Sequence, residues 1–243
     1  MNCPRLFTFA CCALLGVFAS CSSPPAVPDR GESVIFVHGL GRSPSSMKTL
    51  ASRVEEAGYE VINFGYPSTS ESIEALTARL GAEVERSCGE ERASVHFVTH
   101  SMGGVLVRSY LSSRDEPHEG RVVMLSPPNQ GSEIIDAFED SSLLRSFLGP
   151  AAMKLGTGEE GIAKELGPVR FSLGVLTGDR SLSPIGSWLI PGPDDGKVAV
   201  GRAEVDGAVD FKVIHATHTF IMNRKDVAEE VLHFLEHSQF IER

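Results

Sequence analysis

The sequence predicts an α/β fold, with about six mostly parallel strands flanked by helices. Three observations carry that prediction. Short, β-branched apolar runs recur along the chain, stretches with the helical spacing of apolar residues separate them, and Gly or Pro marks most of the boundaries.

The first run, "SVIFVHG" from Ser33, is nearly continuous in apolar residues, as a parallel strand covered on both faces requires. Residues 44–57 then read as a helix that opens near Pro44 and stops at Gly58. "EVINFGYP" is a second strand, and "SESIEALTARLGAEVERS" a second helix with Ile73, Leu76, Leu80 and Val84 on one stripe. "SVHFVTH" is the third strand, followed by a helix from Gly103 to about Leu111. "RVVMLSPP", "FSLGVLTG" and "VDFKVIH" supply three more strands. A last helix runs from about Asn223 to His237, with Val227, Val231, Leu232 and Leu235 facing inward. Alternation of this kind implies right-handed crossovers. One insertion breaks it: residues 132–168, after the fourth strand, carry Ile134, Ile135, Phe138, Leu143, Leu144, Phe147 and Leu148 in two helical-looking pieces. They form either an elaborated crossover or a small cap whose apolar face covers a cleft.

A chain of 243 residues suits one sizeable domain, and 42% hydrophobic residues give it a real core. The net charge of −10, with no Lys/Arg cluster, argues against nucleic acid as a partner. Residues 1–20 read as a secretory signal peptide: Arg5, then an apolar stretch from Leu6 to Ala19 too short to span a bilayer. "FASC" then resembles a lipoprotein lipobox with Phe18 in place of the usual Leu, which implies lipidation of Cys21 and membrane anchoring in a bacterial cell envelope, with plain secretion as the alternative. Residues 21–32, rich in Pro and polar groups, form a tether, and residues 33–243 the folded domain. Only Cys21 and Cys88 remain outside the signal, so no disulfide framework is expected.

In an open parallel sheet, ligands bind where loops leave the carboxyl ends of the strands. Polar residues gather at four such ends: His38-Gly39-Leu40, Ser101, the group Asp179, Asp194 and Asp195, and the pair His215 and His218. Serine, then acid, then histidine is the chain order of one class of serine hydrolase. Thr99-His100-Ser101-Met102-Gly103 resembles the nucleophile elbow of α/β-hydrolases, "VHGLG" their H-G-x-G segment, "PDDGKVAV" the stretch around the triad acid of bacterial lipases, and "HATHTFIM" their histidine loop. Because "VHGLG" stands so early, the resemblance is to the minimal six-stranded α/β-hydrolase fold of small bacterial lipases.

That resemblance implies a serine esterase or lipase using Ser101 as nucleophile and His218 as base, with the amides of Leu40 and Met102 as the oxyanion hole. The acid is Asp195 by its match to D-G-x-V, with Asp179 and Asp194 as alternatives. His215 ends a strand-like run and reads as a rim residue. No HExxH motif or Cys/His cluster suggests a metal, and no cofactor is expected. Thr99 departs from the small residue an elbow prefers, so the elbow is expected to be slightly more open. Asn129 and Gln130 in "SPPNQGSE" either contact substrate or turn the chain. Acyl transfer or amide hydrolysis would use the same residues, and a non-catalytic binding protein is the reading from a different class.

Overall fold

All five strand pairings are parallel. The structure is a computed structural model that describes residues 29–87, 94–138 and 140–242. The signal peptide, Cys21, most of the tether and Cys88 lie outside the described residues, as does the side chain of Leu144. The six strands are β1 (Glu32–Val37), β2 (Glu60–Phe64), β3 (Ser94–His100), β4 (Arg121–Leu125), β5 (Ser172–Gly178) and β6 (Asp210–Ile214). Their spatial order is β2-β1-β3-β4-β5-β6, so the direction of winding reverses between β1 and β3. A reversal of that kind opens a crevice at the carboxyl ends of the two strands on either side of it.

Helices cover both faces. On one side α1 (Lys48–Glu56) and α10 (Lys225–His237) pack on Val34, Phe36, Val98, Val123 and Leu176. On the other, α2 (Ile73–Ser87) and α3 (Met102–Ser112) pack on Ile35, Val37, Phe97, Val122 and Met124. Successive residues of β1 thus point to opposite cores, which is why its sequence is apolar throughout and does not alternate. Pro44 opens a short 3-10 turn, Pro44–Ser46, before the α-helix expected there begins at Lys48.

The last helix docks differently from the expected stripe. Phe234 is fully buried beside Val227, Val231 and Leu235, whereas Leu232 is only partly covered. Gly174 in β5 explains this: a Cβ there would lie 2.4 Å from Phe234 Cε2 and 2.7 Å from Phe240 Cζ. The glycine is a hollow in the sheet into which two rings settle, 5.0 Å apart. Burying one such ring is worth about 1.5–3 kcal/mol.

The insertion after β4 holds four short helices where two were expected: α4 (Glu133–Asp136), α5 (Ser142–Leu148), α6 (Pro150–Met153) and α7 (Ile162–Leu166). Its apolar residues divide. Ile135, Ala151, Ala152, Leu155 and Ile162 join the core. Leu143 and Phe147, in the second of the helical-looking pieces, are 79% and 75% exposed. Beyond β5 lie α8 (Pro184–Leu189) and α9 (Val200–Ala203).

Two structural histidines, His96 buried and His118 half-buried, are held as neutral rings. His96 Nδ1 accepts the Arg121 amide at 2.9 Å, with its ring edge-on to Tyr59. His118 packs on Phe97. Burial holds both pKa values down to about 4, helped at His96 by Arg121 and at His118 by His96 and Arg114. In the unfolded chain both take up protons below about 6.5 while the folded chain does not. Their contribution to stability is therefore full above about pH 6.5 and is lost as the pH falls toward about 4. Urea unfolding measured from about pH 8 down to about 4.5 should show the midpoint falling below about pH 6.5, with linked proton uptake by these two rings and by the buried His38 and His100, whose pKa values are also lowered. A midpoint that stays level to about pH 5 contradicts this account.

Candidate active site

The loops after β1 and β3, on either side of the reversal, meet at Ser101. This residue has φ 53 and ψ −126, a left-handed conformation that a side chain disfavours by about 1–3 kcal/mol. The surroundings impose it. The Ser101 amide donates to the Leu125 carbonyl at 2.9 Å, extending the ladder one residue past the end of β3. Immediately after, the chain must turn into α3 while pressed against β1. At Gly103 a Cβ would lie 2.3 Å from the Val37 carbonyl oxygen and 2.8 Å from that of His38, so no side chain fits. Gly104 answers the question Thr99 raised: a Cβ there would stand 3.2 Å from Thr99 Oγ1. Room for the bulky strand residue comes from the second glycine of "HSMGG".

The β1 loop is held by His38 and Gly39. His38 is fully buried, stacked on Tyr66 with ring centroids 4.2 Å apart, and its Nδ1 bonds the Gly39 carbonyl at 2.9 Å. The Tyr66 hydroxyl donates in turn to the His38 carbonyl. Burial lowers the His38 pKa and keeps the ring neutral. Both residues shape the loop. The amides of Leu40 and Met102 have no acceptor among the described residues; Met102 follows Ser101 directly, and Leu40 lines the same cleft.

His218 and Asp195 form a buried pair. His218 Nδ1 and Asp195 Oδ2 are 2.8 Å apart, with side chains 5% and 0% exposed. The other carboxylate oxygen accepts the amides of Lys197 at 3.0 Å and Val198 at 2.9 Å. Burial alone would raise the Asp195 pKa. The charge and hydrogen bond of His218, the Ser126 hydroxyl facing the carboxylate without a well-aligned bond, and the Val198 amide outweigh it and hold the group below the ordinary carboxylate value. An ionised carboxylate at Nδ1 fixes the proton there and leaves Nε2 as the free acceptor.

The backbone of His218 is clamped as well. Its amide donates to the Asp195 carbonyl at 2.9 Å, and its carbonyl accepts from His100 Nε2 at 2.9 Å. Because that acceptor is a carbonyl, His100 carries its proton on Nε2. Burial above all, then the neighbouring His218, drives the His100 pKa well down, so it stays a neutral donor. Sequence reasoning passed over His100, Ser126 and the strain at φ 49 that Ser126 shares with Ser101. Their signal was position alone: one residue before the elbow and one after β4.

The other candidates fall elsewhere. Asp179 pairs with His215 at 2.9 Å in an exposed contact at the rim, away from the cleft. Asp194 accepts from Ser187 Oγ and the Gly196 amide and braces the turn before Lys197. Asn129 and Gln130 turn the chain: Asn129 binds Arg108 and the Ala203 carbonyl, and Gln130 the carbonyls of Gly201, Arg202 and Glu204. Among the described residues no group of three or more His, Cys, Asp and Glu side chains could hold a metal ion.

Ser101 and His218 line one cleft of about 420 Å³ with Leu40, Arg42 and Lys197, and with Ile134, Ile135, Phe147, Leu148 and Leu155 from the insertion. A buried His–Asp pair beside a strained serine, together with two unpaired amides, can support acyl transfer through a serine ester.

The fold is that of the α/β-hydrolases. The model of the palmitoyl protein thioesterase family matches residues 33–158, just over half of the chain, and the protein belongs to that family. The match takes in Leu40 and Ser101 and ends before Asp195 and His218. No curated protein sequence matches the chain. Solved structures do. The mature lipase BlEst2 of Bacillus licheniformis is 19% identical over 90% of this chain and 96% of its own, with a TM-score of 0.64. The metagenomic carboxyl esterase MGS0156 is 21% identical over 84% and 69%, also with a TM-score of 0.64. Phospholipase PlaB of Legionella pneumophila is 19% identical over 71% of this chain and 45% of its own, with a TM-score of 0.59. At such identities the likeness speaks for the fold.

The elbow carries a direct test. Gly103→Ala places a methyl group inside van der Waals contact of two backbone carbonyls and should cost about 3 kcal/mol or more. Thermal melting should show a drop of several degrees, and a variant as stable as wild type would refute the packing described.

Proposed function

We propose that the protein is a serine hydrolase that cleaves acyl esters, oxygen esters or thioesters, through an acyl-enzyme. The observation that carries the reading is the buried Asp195–His218 pair lining the same cleft as the strained Ser101. In this mechanism His218 Nε2 takes the Ser101 proton as Oγ attacks the acyl carbon. The developing oxyanion accepts from the amides of Leu40 and Met102, each such donor being worth about 2.7–4 kcal/mol. The imidazolium, stabilised by Asp195, gives its proton to the departing oxygen or sulfur as the acyl–heteroatom bond breaks. Water, deprotonated by His218, then attacks the acyl-serine, releasing the acid and restoring the Ser101 hydroxyl.

The apolar wall of Ile134, Ile135, Phe147, Leu148 and Leu155 favours a fatty acyl chain, with residues 132–168 acting as a cap. The family description, palmitoyl protein thioesterase, agrees with a long chain and admits sulfur as the leaving atom. Export, with Cys21 as a lipid attachment point, remains our reading of the leader sequence. Among the described residues no helix is long and apolar enough to cross a membrane.

The test is a panel of p-nitrophenyl esters of increasing chain length. Ser101→Ala should abolish turnover and fluorophosphonate labelling. Asp195→Asn should lower kcat by about 10⁴-fold, while Asp179→Asn stays within about twofold. Labelling that survives Ser101→Ala, or a greater loss at Asp179 than at Asp195, would sink the assignment.

A further inference from the structure

The cleft has two unlike walls. One is the apolar surface of the insertion. The other, beside His218, carries Arg42 and Lys197 and no carboxylate that faces the opening. In a chain with 32 acidic residues and a net charge of −10, two cations at one opening, whose neighbouring carboxylate Asp195 is already bonded to His218, are not an average piece of surface.

Neither cation is used up by the fold. Arg42 donates through Nη2 to the Thr219 carbonyl at 2.8 Å, which occupies one of its five donors and none of its charge. The Lys197 ammonium makes no hydrogen bond or ion pair among the described residues. Both spring from braced backbone. The Arg42 amide binds the Gly39 carbonyl, and the Gly41 amide binds Ser68 Oγ at 3.0 Å. Lys197 is in the turn whose amides hold the Asp195 carboxylate, just after Gly196 at φ 98. Surrounding protein, and then the nearby charge of Arg42, pull the Lys197 pKa down against the opposing charge of Asp195. Two like charges whose neighbouring carboxylate is taken up by His218 and the turn amides form a pre-organised place for an anion.

Their position says which part of a substrate they meet. Arg42 is bonded to the residue after His218, and Lys197 stands two residues after Asp195, so both flank the imidazole that delivers a proton to the leaving atom. The acyl chain then runs along the apolar residues of the insertion, to which the Lys197 turn is joined by the bond from Ser132 Oγ to the Lys197 carbonyl at 2.8 Å. Resting on the hydrolase reading above, we propose that Arg42 and Lys197 form an anion subsite for the leaving group. The preferred substrates are then fatty acyl esters or thioesters whose alcohol or thiol carries a phosphate or carboxylate a few bonds from the scissile linkage. Hydrolysis releases the fatty acid from the apolar wall and the anionic alcohol or thiol from the cationic one.

The test uses three soluble hexanoate esters, those of para-hydroxybenzamide, para-hydroxybenzoate and para-hydroxyphenyl phosphate, in the full chain. The readout is the ratio of kcat/KM for each anionic ester to that for the neutral one, within each variant. Intrinsic reactivity of the phenols cancels when variants are compared. Lys197→Gln should lower the ratio about tenfold, the equivalent of one charge-assisted contact, and Lys197→Arg should restore it. In wild type, added salt should shrink the same ratio, a measurement that needs no variant to fold. The larger drop, for phosphate or for carboxylate, identifies which anion the pair prefers. A ratio unmoved by both Lys197→Gln and salt overturns the anion subsite while leaving the hydrolase intact. Turnover undiminished in Ser101→Ala would instead overturn the hydrolase reading beneath it.

Discussion

The site depends on one close approach, that of the first turn of α3 to the end of β1. At Gly103 the helix backbone lies against the Val37 and His38 carbonyls with no space for a methyl group. Three consequences follow from that contact. The chain between strand and helix has only Ser101 in which to reverse, so Ser101 takes up the left-handed strain. The β1 loop is pinned beside it, bringing Leu40 and Arg42 to the same cleft. The helix amino end, with its unpaired first amide, is directed at the point where the serine oxygen emerges. The strain is paid for by the sheet: the ladder continues through the Ser101 amide to Leu125, and through the Ser126 amide to Leu176.

A second constraint acts from the far side of the sheet. Asp195 must remain charged although it is fully buried, and a buried carboxylate is tolerated only when its oxygens are satisfied. The Lys197 and Val198 amides satisfy one and His218 the other. The same turn that supplies those amides also projects Lys197 to the cleft. Asp195 and Lys197 therefore share one turn, and His218 is tied to it from the loop after β6 by two hydrogen bonds to Asp195, so moving any of them disturbs the others. His100 joins this unit to the elbow, since the residue before Ser101 holds the carbonyl of His218.

Much of this was legible in the sequence. The βα alternation, the six strands and the elbow follow from local pattern, because each is written in consecutive residues. What local pattern does not carry is contact between distant segments. Phe234 reads as one more apolar residue of an amphipathic helix until Gly174, sixty residues away, is seen to be its socket. Leu143 and Phe147 have the spacing of a buried stripe and are exposed. In a short helix of the insertion, a few apolar residues have the same period whether they face core, cleft or solvent. His100 was hidden for another reason: its work is done by one hydrogen bond to a backbone carbonyl, which no residue type at position 218 would reveal.

The choice of acid shows how far such reasoning reaches. The chain holds two His–Asp pairs of nearly equal geometry, His218–Asp195 at 2.8 Å and His215–Asp179 at 2.9 Å. In sequence the two histidines are three residues apart, and both aspartates lie in the long segment between β5 and β6. Hydrogen-bond length does not separate them; solvent does. The His215 pair is 74% and 37% exposed, where water screens the charge and competes for each donor. The His218 pair is closed off, so the carboxylate acts on the imidazole in a weakly screening medium and can hold a single tautomer. Burial is a property of the assembled fold, and it separates two pairs that hydrogen-bond length does not. The two cations at the cleft obey the same rule in reverse. They keep their charge at an opening where water still reaches them, and an incoming anion would displace that water and find both already in place.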